Sequence, residues 1–127
     1  MMPYERFTAW KTCHALVIAI YKATERFPRD ERYGLTSQMR RAAFSAAVNI
    51  AEGAAKRGSA EFRRFLDISL GSLSELSYEI TLARELGMLS PEAAEGLSDL
   101  HTRASQLVWR LYEAVSRRAG KQFVNRP

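Results

Sequence analysis

Apolar residues recur along this chain every three or four positions, and no stretch alternates apolar with polar over the length of a strand. That period predicts helices nearly throughout. The first should run over 8–26, with Thr8 as its N-cap and Trp10, Cys13, Val17, Ile20, Tyr21 and Thr24 as its stripe. Phe27-Pro28 closes it, because the residue before proline disfavours the helical region. The second spans 35–56, and its seam of Met39, Ala42, Ala46, Asn49 and Gly53, with Ala43 and Ile50 beside it, is built almost wholly of small residues. Such a helix can approach its neighbours closely. Arg57-Gly58 ends it, since glycine tolerates a left-handed C-cap. The third covers 60–86, with Ser59 as N-cap and Glu61 at the positive end of the dipole. Phe62, Phe65, Leu66, Ser69, Leu73, Leu76, Ile80, Ala83 and Leu86 form its stripe, and Gly87 stops it. The fourth, 91–118, opens on Ser90-Pro91-Glu92, a serine cap, a proline at the first helical position and an acid in the first turn. Leu97, Leu100, Ala104, Leu107, Val108, Leu111, Ala114 and Val115 carry it, and 119–127 is expected to be a flexible tail.

Four helices joined by short connections imply antiparallel neighbours, so the expected fold is an all-α, up-down-up-down four-helix bundle forming one domain, 1–127. A chain of 127 residues can bury a core without staples. The single cysteine, Cys13, excludes an internal disulfide framework and a cysteine-rich zinc site, and suits a reducing cytoplasm. The apolar run 15–21 is too short and wrongly flanked for a signal peptide, and no segment reaches the roughly 20 apolar residues of a membrane span.

The net charge of +5 changes the picture because of where it sits. Residues 101–127 hold Arg103, Arg110, Arg117, Arg118, Lys121 and Arg126 against Glu113 alone, and the rest of the chain is neutral. Arg103, Arg110 and Arg117, seven apart, line one edge of the fourth helix, and Arg118 and Lys121 extend that patch. The pairs Arg40-Arg41, Lys56-Arg57 and Arg63-Arg64 read as further basic spots near the turn between the second and third helices. Two readings stand side by side. One is sequence-tolerant contact with nucleic-acid phosphates. The other is salt bridging between subunits to Glu75, Glu79 or Glu85, with arginine stems covering apolar surface.

Candidate chemistry is thin. Neither His14 nor His101 is preceded three residues earlier by the glutamate of a di-iron bundle, and adjacent Cys13 and His14 point to different faces. No nucleophile elbow or glycine-rich phosphate loop occurs. Neither an enzyme nor a cofactor is expected. Glu75 and Glu79, one turn apart, read as a solvated or interface face. Asn49 falls on the small-residue seam, where one polar side chain can fix register and partner. Glu52 lies on a neighbouring stripe, too far from Arg41 to pair with it, and should find a partner on another helix or subunit. Gly53 can mark an early helix end. Gly71, in mid-helix, costs about 1 kcal/mol relative to alanine, which close helix approach within the bundle or across a subunit interface would explain.

The run RRAAFSAAVNIAEG followed by AEFRRFLDISLGSLSELSYEITLARELGML resembles the bacterial four-helix-bundle proteins first noted as products of 23S rRNA intervening sequences. The most specific parts are NIAEG (49–53), EFxxFL (61–66, holding Glu61, Phe62 and Phe65) and GSLSEL (71–76). The resemblance implies an up-down bundle assembled into a ring, typically a pentamer. It also implies likeness to the accessory protein of diversity-generating retroelements, a basic pentamer that binds nucleic acid and a reverse transcriptase. It implies no enzymatic activity. Many members carry proline where this chain has Ala47, so the kink that proline would give the second helix is not expected here. The expected function is therefore a non-enzymatic homo-oligomeric scaffold, binding RNA or DNA through its arginine patches. The alternative is a protein-directed adaptor that contacts no nucleic acid.

Overall fold

Four helices form close to where the periodicity places them: α1 (Thr8–Thr24), α2 (Leu35–Ala54), α3 (Ser59–Glu85) and α4 (Pro91–Val124). Short 3₁₀ turns at Pro3–Arg6 and Arg29–Glu31 complete the order, and no strand occurs among the described residues. The structure is a computed structural model that describes residues 1–124, with side chains described through Gly120. α1 packs on α2 and α4, and α3 packs on α2 and α4, whereas the diagonal pairs make no close backbone approach. The result is a four-cornered antiparallel bundle, up-down-up-down, as the short connections require.

Local chemistry sets the helix ends. At α4 the Ser90 hydroxyl accepts the Ala93 amide at 3.1 Å, the N-cap that Ser90-Pro91 announces. α3 ends in a Schellman turn. Gly87 adopts φ +76, Gly87 N–H reaches the Arg84 carbonyl at 3.0 Å, and Met88 N–H reaches that of Ala83 at 2.9 Å. Two expected caps are displaced by one residue. Thr8 and Ser59 are the first residues of their helices, and Phe7 and Gly58 hold the cap positions. Gly58 has φ +114, so it serves the start of α3 more than the end of α2. α2 gains a device the sequence reading lacked: Glu31 Oε2 accepts the Leu35 amide at 3.2 Å, a carboxylate at the positive end of the helix. The largest correction is α4, whose backbone stays helical to Val124, so the expected tail is helix through that residue.

The core runs the length of the bundle through Leu16, Ile20, Met39, Ile50, Leu66, Leu73, Leu76 and Val108, all fully buried. Each such side chain contributes roughly 1.5–3 kcal/mol relative to exposure. The α1 stripe is rotated from the expected one. Leu16, Ala9 and Thr12 are buried, while Trp10 and Val17 are half-buried and Tyr21 is exposed. Leu86, placed on the α3 stripe, is exposed beyond the helix end. α2 passes through Ala47 without interruption.

Candidate nucleic-acid interface

The α2/α3 pair makes the most extensive of the helix contacts. A Cβ added at Gly53 would stand 2.8 Å from both Phe62 Cδ1 and Phe65 Cβ, so only glycine lets α3 start this close. Gly53 is thus a buried packing residue in the last turn of α2, which stops one residue later at Ala54, short of the expected 56. Further along, hydroxyls replace bulk between the helices. Ser69 Oγ donates to the Ala46 carbonyl at 2.7 Å, and the hydroxyls of Ser45 and Ser72 meet at 2.7 Å. Asn49 Nδ2 donates to the Ser45 carbonyl at 2.8 Å and lies 3.1 Å from its hydroxyl. Asn49 is therefore half-buried and engaged inside its own chain, at the edge of a polar string between α2 and α3. Glu52 is exposed and forms no ion pair among the described residues. Gly71 is exposed, with nothing within 4 Å of an added Cβ, so no close approach inside the bundle accounts for it.

The basic residues separate into three places. Arg40 is half-buried at the α1/α2 corner. Its Nε donates to Thr24 Oγ1 at 2.9 Å, and its guanidinium lies 4.6 Å from the Tyr21 ring centroid. Arg41 lies beside it, in the half of α2 distant from the α2–α3 turn, so this pair does not join the turn as expected. Lys56, Arg57, Arg63 and Arg64 do gather there, all exposed. Lys56 Nζ and the Arg64 guanidinium cover the Phe65 ring at 5.3 and 4.7 Å. Phe7 meets Phe62 edge-on at 5.5 Å, which brings Arg6 to the same end of the bundle. Arg103, Arg110 and Arg117 form the third group, an exposed row on the flank of α4 away from α3. Because α4 runs antiparallel to α3, its last turns reach the same end of the bundle, so exposed Arg117 and Arg118 lie at the same basic pole as Arg63 and Arg64, on a different helix face. The side chain of Lys121 lies outside the described set. Among the described residues the one ion pair is Arg64 with Glu61 at 3.3 Å, on an exposed face.

The opposite flank of α4 borders an open groove of about 680 Å³ against α3, lined by Asp67, Gly71, Ser74, His101, Ser105 and Trp109 among others. His101 Nε2 and the Leu73 carbonyl are 2.6 Å apart, a contact that needs the proton on Nε2. Trp109 and Tyr112 stack at 5.4 Å with 18° between their planes, and Tyr112 shares a smaller hollow with Ala60, Arg63, Arg64 and Asp67. Trp109 is 50% exposed.

Glu79 departs from its expected place on a solvated or interface face. It is 6% exposed, and its Oε1 has no hydrogen-bond partner among the described residues. Burial, reinforced by the neighbouring Glu75 carboxylate, pushes its acid up from the ordinary 4.5 to about 7. Glu75 itself is exposed. No group of three or more His, Cys, Asp or Glu side chains among the described residues is arranged to hold a metal, and no described helix is long and apolar enough to cross a membrane. Cys13 is buried while His14 stacks on Trp10 at the surface, 5.1 Å between ring centroids, so the adjacent pair faces apart.

Residues 5–110 match the 23S rRNA-intervening sequence proteins, which takes in α1 to α3 and most of α4. The chain belongs to that family. A solved structure with the same fold is that of a protein of unknown function from the S23 ribosomal protein family of Bacteroides thetaiotaomicron. The two share 19% identity and a TM-score of 0.74, over 83% of this chain and 98% of the other. At that identity the likeness concerns the fold alone. No curated protein matches the sequence.

In this member of the 23S rRNA-intervening sequence family, the sequence signals and the structure part company at two features. The aromatic pair Trp109/Tyr112 has the i, i+3 spacing of helical neighbours, a signal strong enough to have raised it. Its proximity to Arg63 and Arg64 is a contact between distant segments and leaves no local trace. The burial of Glu79 follows from its position on the α2-facing side of α3, one helical turn beyond the buried Leu76.

Proposed function

We propose that this protein is a non-catalytic, self-associating cytoplasmic scaffold that holds RNA or another nucleic acid at its basic pole. The observation that carries the reading is the convergence of Lys56, Arg57, Arg63, Arg64, Arg117 and Arg118 on one end of the bundle, where Glu61 alone forms an ion pair among the described residues. Cationic groups in excess of their acidic neighbours favour phosphate and set up a field that steers polyanions. Binding of this kind is sequence-tolerant and salt-sensitive. The purified protein should retard generic RNA on a gel at about 50 mM salt and release it as salt rises. Absence of any retardation at low salt counts decisively against the reading. Replacing Arg63, Arg64, Arg117 and Arg118 with glutamine should flatten the salt dependence as well as weaken binding.

Self-association into a ring, five subunits in the form the family resemblance implies, multiplies that pole around an axis. Exposed Ile68 on α3 and exposed Phe44 at the α1/α2 corner offer apolar surface for such a contact. The same apolar surface also favours the second reading, a protein-directed adaptor without nucleic acid. Light scattering coupled to size exclusion tests the ring, and a monomeric mass excludes it. An adaptor would instead capture one defined protein after nuclease treatment.

A further inference from the structure

The α3/α4 groove begins at the basic pole and has a different character from it. At its mouth stand Arg63, Arg64 and Tyr112, with Asp67 shared between the mouth and the deeper trough. Next comes Trp109, stacked on Tyr112 and half exposed. Beyond it the walls carry Ser74, Ser77, Ser105 and His101, and at Gly71 the wall has no side chain at all. An exposed aromatic ring already stacked on a second is a platform that accepts a further flat ring at little ordering cost. Guanidinium groups beside it supply the phosphate contact. Hydroxyls, a carboxylate and the free Nδ1 of His101 supply donors and acceptors for a base edge. Helix axes packed side by side lie roughly 8–10 Å apart, so a cleft between two of them admits an unpaired base and excludes a duplex.

We infer that this groove is a binding site for single-stranded nucleic acid, with a base stacked on Trp109 and the flanking phosphates on Arg63 and Arg64. The inference rests on the nucleic-acid reading of the pole and deepens it by fixing the strandedness and the contact. The site takes an unpaired segment or a loop. Asp67, between the arginines and the indole, repels phosphate and faces the base, where it accepts a hydrogen bond from an exocyclic amine. Charge complementarity at the mouth, where Arg63 and Arg64 line the hollow beside Tyr112, argues for a polyanionic occupant.

Trp10 is the chain's other tryptophan, so Trp10→Phe leaves Trp109 as the sole indole reporter. That protein is titrated with a labelled 12-nucleotide RNA of mixed sequence, single-stranded and then annealed to its complement. Anisotropy of the label and fluorescence of Trp109 are read together. The expected result is quenching of Trp109 by the single strand with little by the duplex, and a roughly tenfold loss of affinity in Trp109→Ala, the scale of one base–aromatic stack. A second variant guards against a folding artefact. Gly71→Leu projects into space where an added Cβ meets nothing within 4 Å, so the bundle stays intact while the trough is filled, and single-strand binding should fall by a similar factor. Binding without quenching, unaltered by either variant, overturns the groove and leaves the pole's phosphate contact standing. Tighter binding of the duplex overturns it in the same way. Concentration-dependent quenching with no RNA present shows a second copy in the groove and also overturns it. No anisotropy change at low salt removes both the groove and the reading it rests on.

Discussion

Gly53 and Gly71 sit in neighbouring helices and present the same oddity to a sequence reader, a glycine where alanine would serve the helix better. The structure gives them opposite roles. At Gly53 the missing Cβ is space that Phe62 and Phe65 occupy. At Gly71 it is space that nothing in the chain occupies. The contrast extends to the two helix pairs. α2/α3 is closed, with small residues, inter-helix hydroxyl contacts and a glycine contact holding it shut. α3/α4 carries comparable apolar residues on its inner side but opens outward into a trough. A helix-breaking residue is thus spent on stability in one place and on surface shape in the other.

The sharpest way to break this comparison is Gly53→Leu. Its side chain meets two phenylalanines at contact distances no rotamer relieves, and a loss of about 3 kcal/mol or more in denaturant unfolding is expected. Gly53→Ala should still destabilise, by about 1–2 kcal/mol, although alanine is the better helix former. If it stabilises, the close approach is not limiting. Next in size is Ser69→Ala, which removes the buried hydroxyl contact to Ala46 and should cost about 1 kcal/mol. Gly71→Ala should act in the other direction, raising stability by up to about 1 kcal/mol, since only the helix propensity changes. A decrease would show that the trough at Gly71 is filled in solution.

The smallest effect is one of pH. Glu79 has a folded-state pKa of about 7 against an ordinary 4.5. The folded state therefore holds the proton more tightly. Stability from this group is full below about pH 4.5 and is lost as pH rises through about 7. The melting temperature should fall across that interval, and Glu79→Gln should flatten the fall. An unchanged slope in the variant would assign the pH dependence to another group.

The bundle was legible because helix signals are local. Stripe periodicity gave four helices, and Ser90-Pro91 gave one boundary to the residue. Thr8 and Ser59 misled by one position because a good capping residue is also acceptable in the first turn, and only the backbone of the preceding residue decides. The end of α4 was placed too early because its apolar stripe was followed only to Val115 and the residues after Arg118 were read as a tail, whereas the backbone stays helical through Val124. Site features were less legible. Arg40 and Arg41 looked like part of one basic cluster because sequence gives their charge and not their end of the bundle. The open space at Gly71 and the closed space at Gly53 differ only in what a second helix places opposite.

Cys13 has a practical consequence. It is the chain's sole cysteine, lies at 0% exposure on the core side of α1, and burial pushes its thiol up to about 12. A thiolate forms and meets reagent only when α1 leaves the bundle. The rate of labelling by a thiol-reactive dye in native buffer is therefore a built-in clock for that opening event. It can be read in any of the variants above without adding a probe.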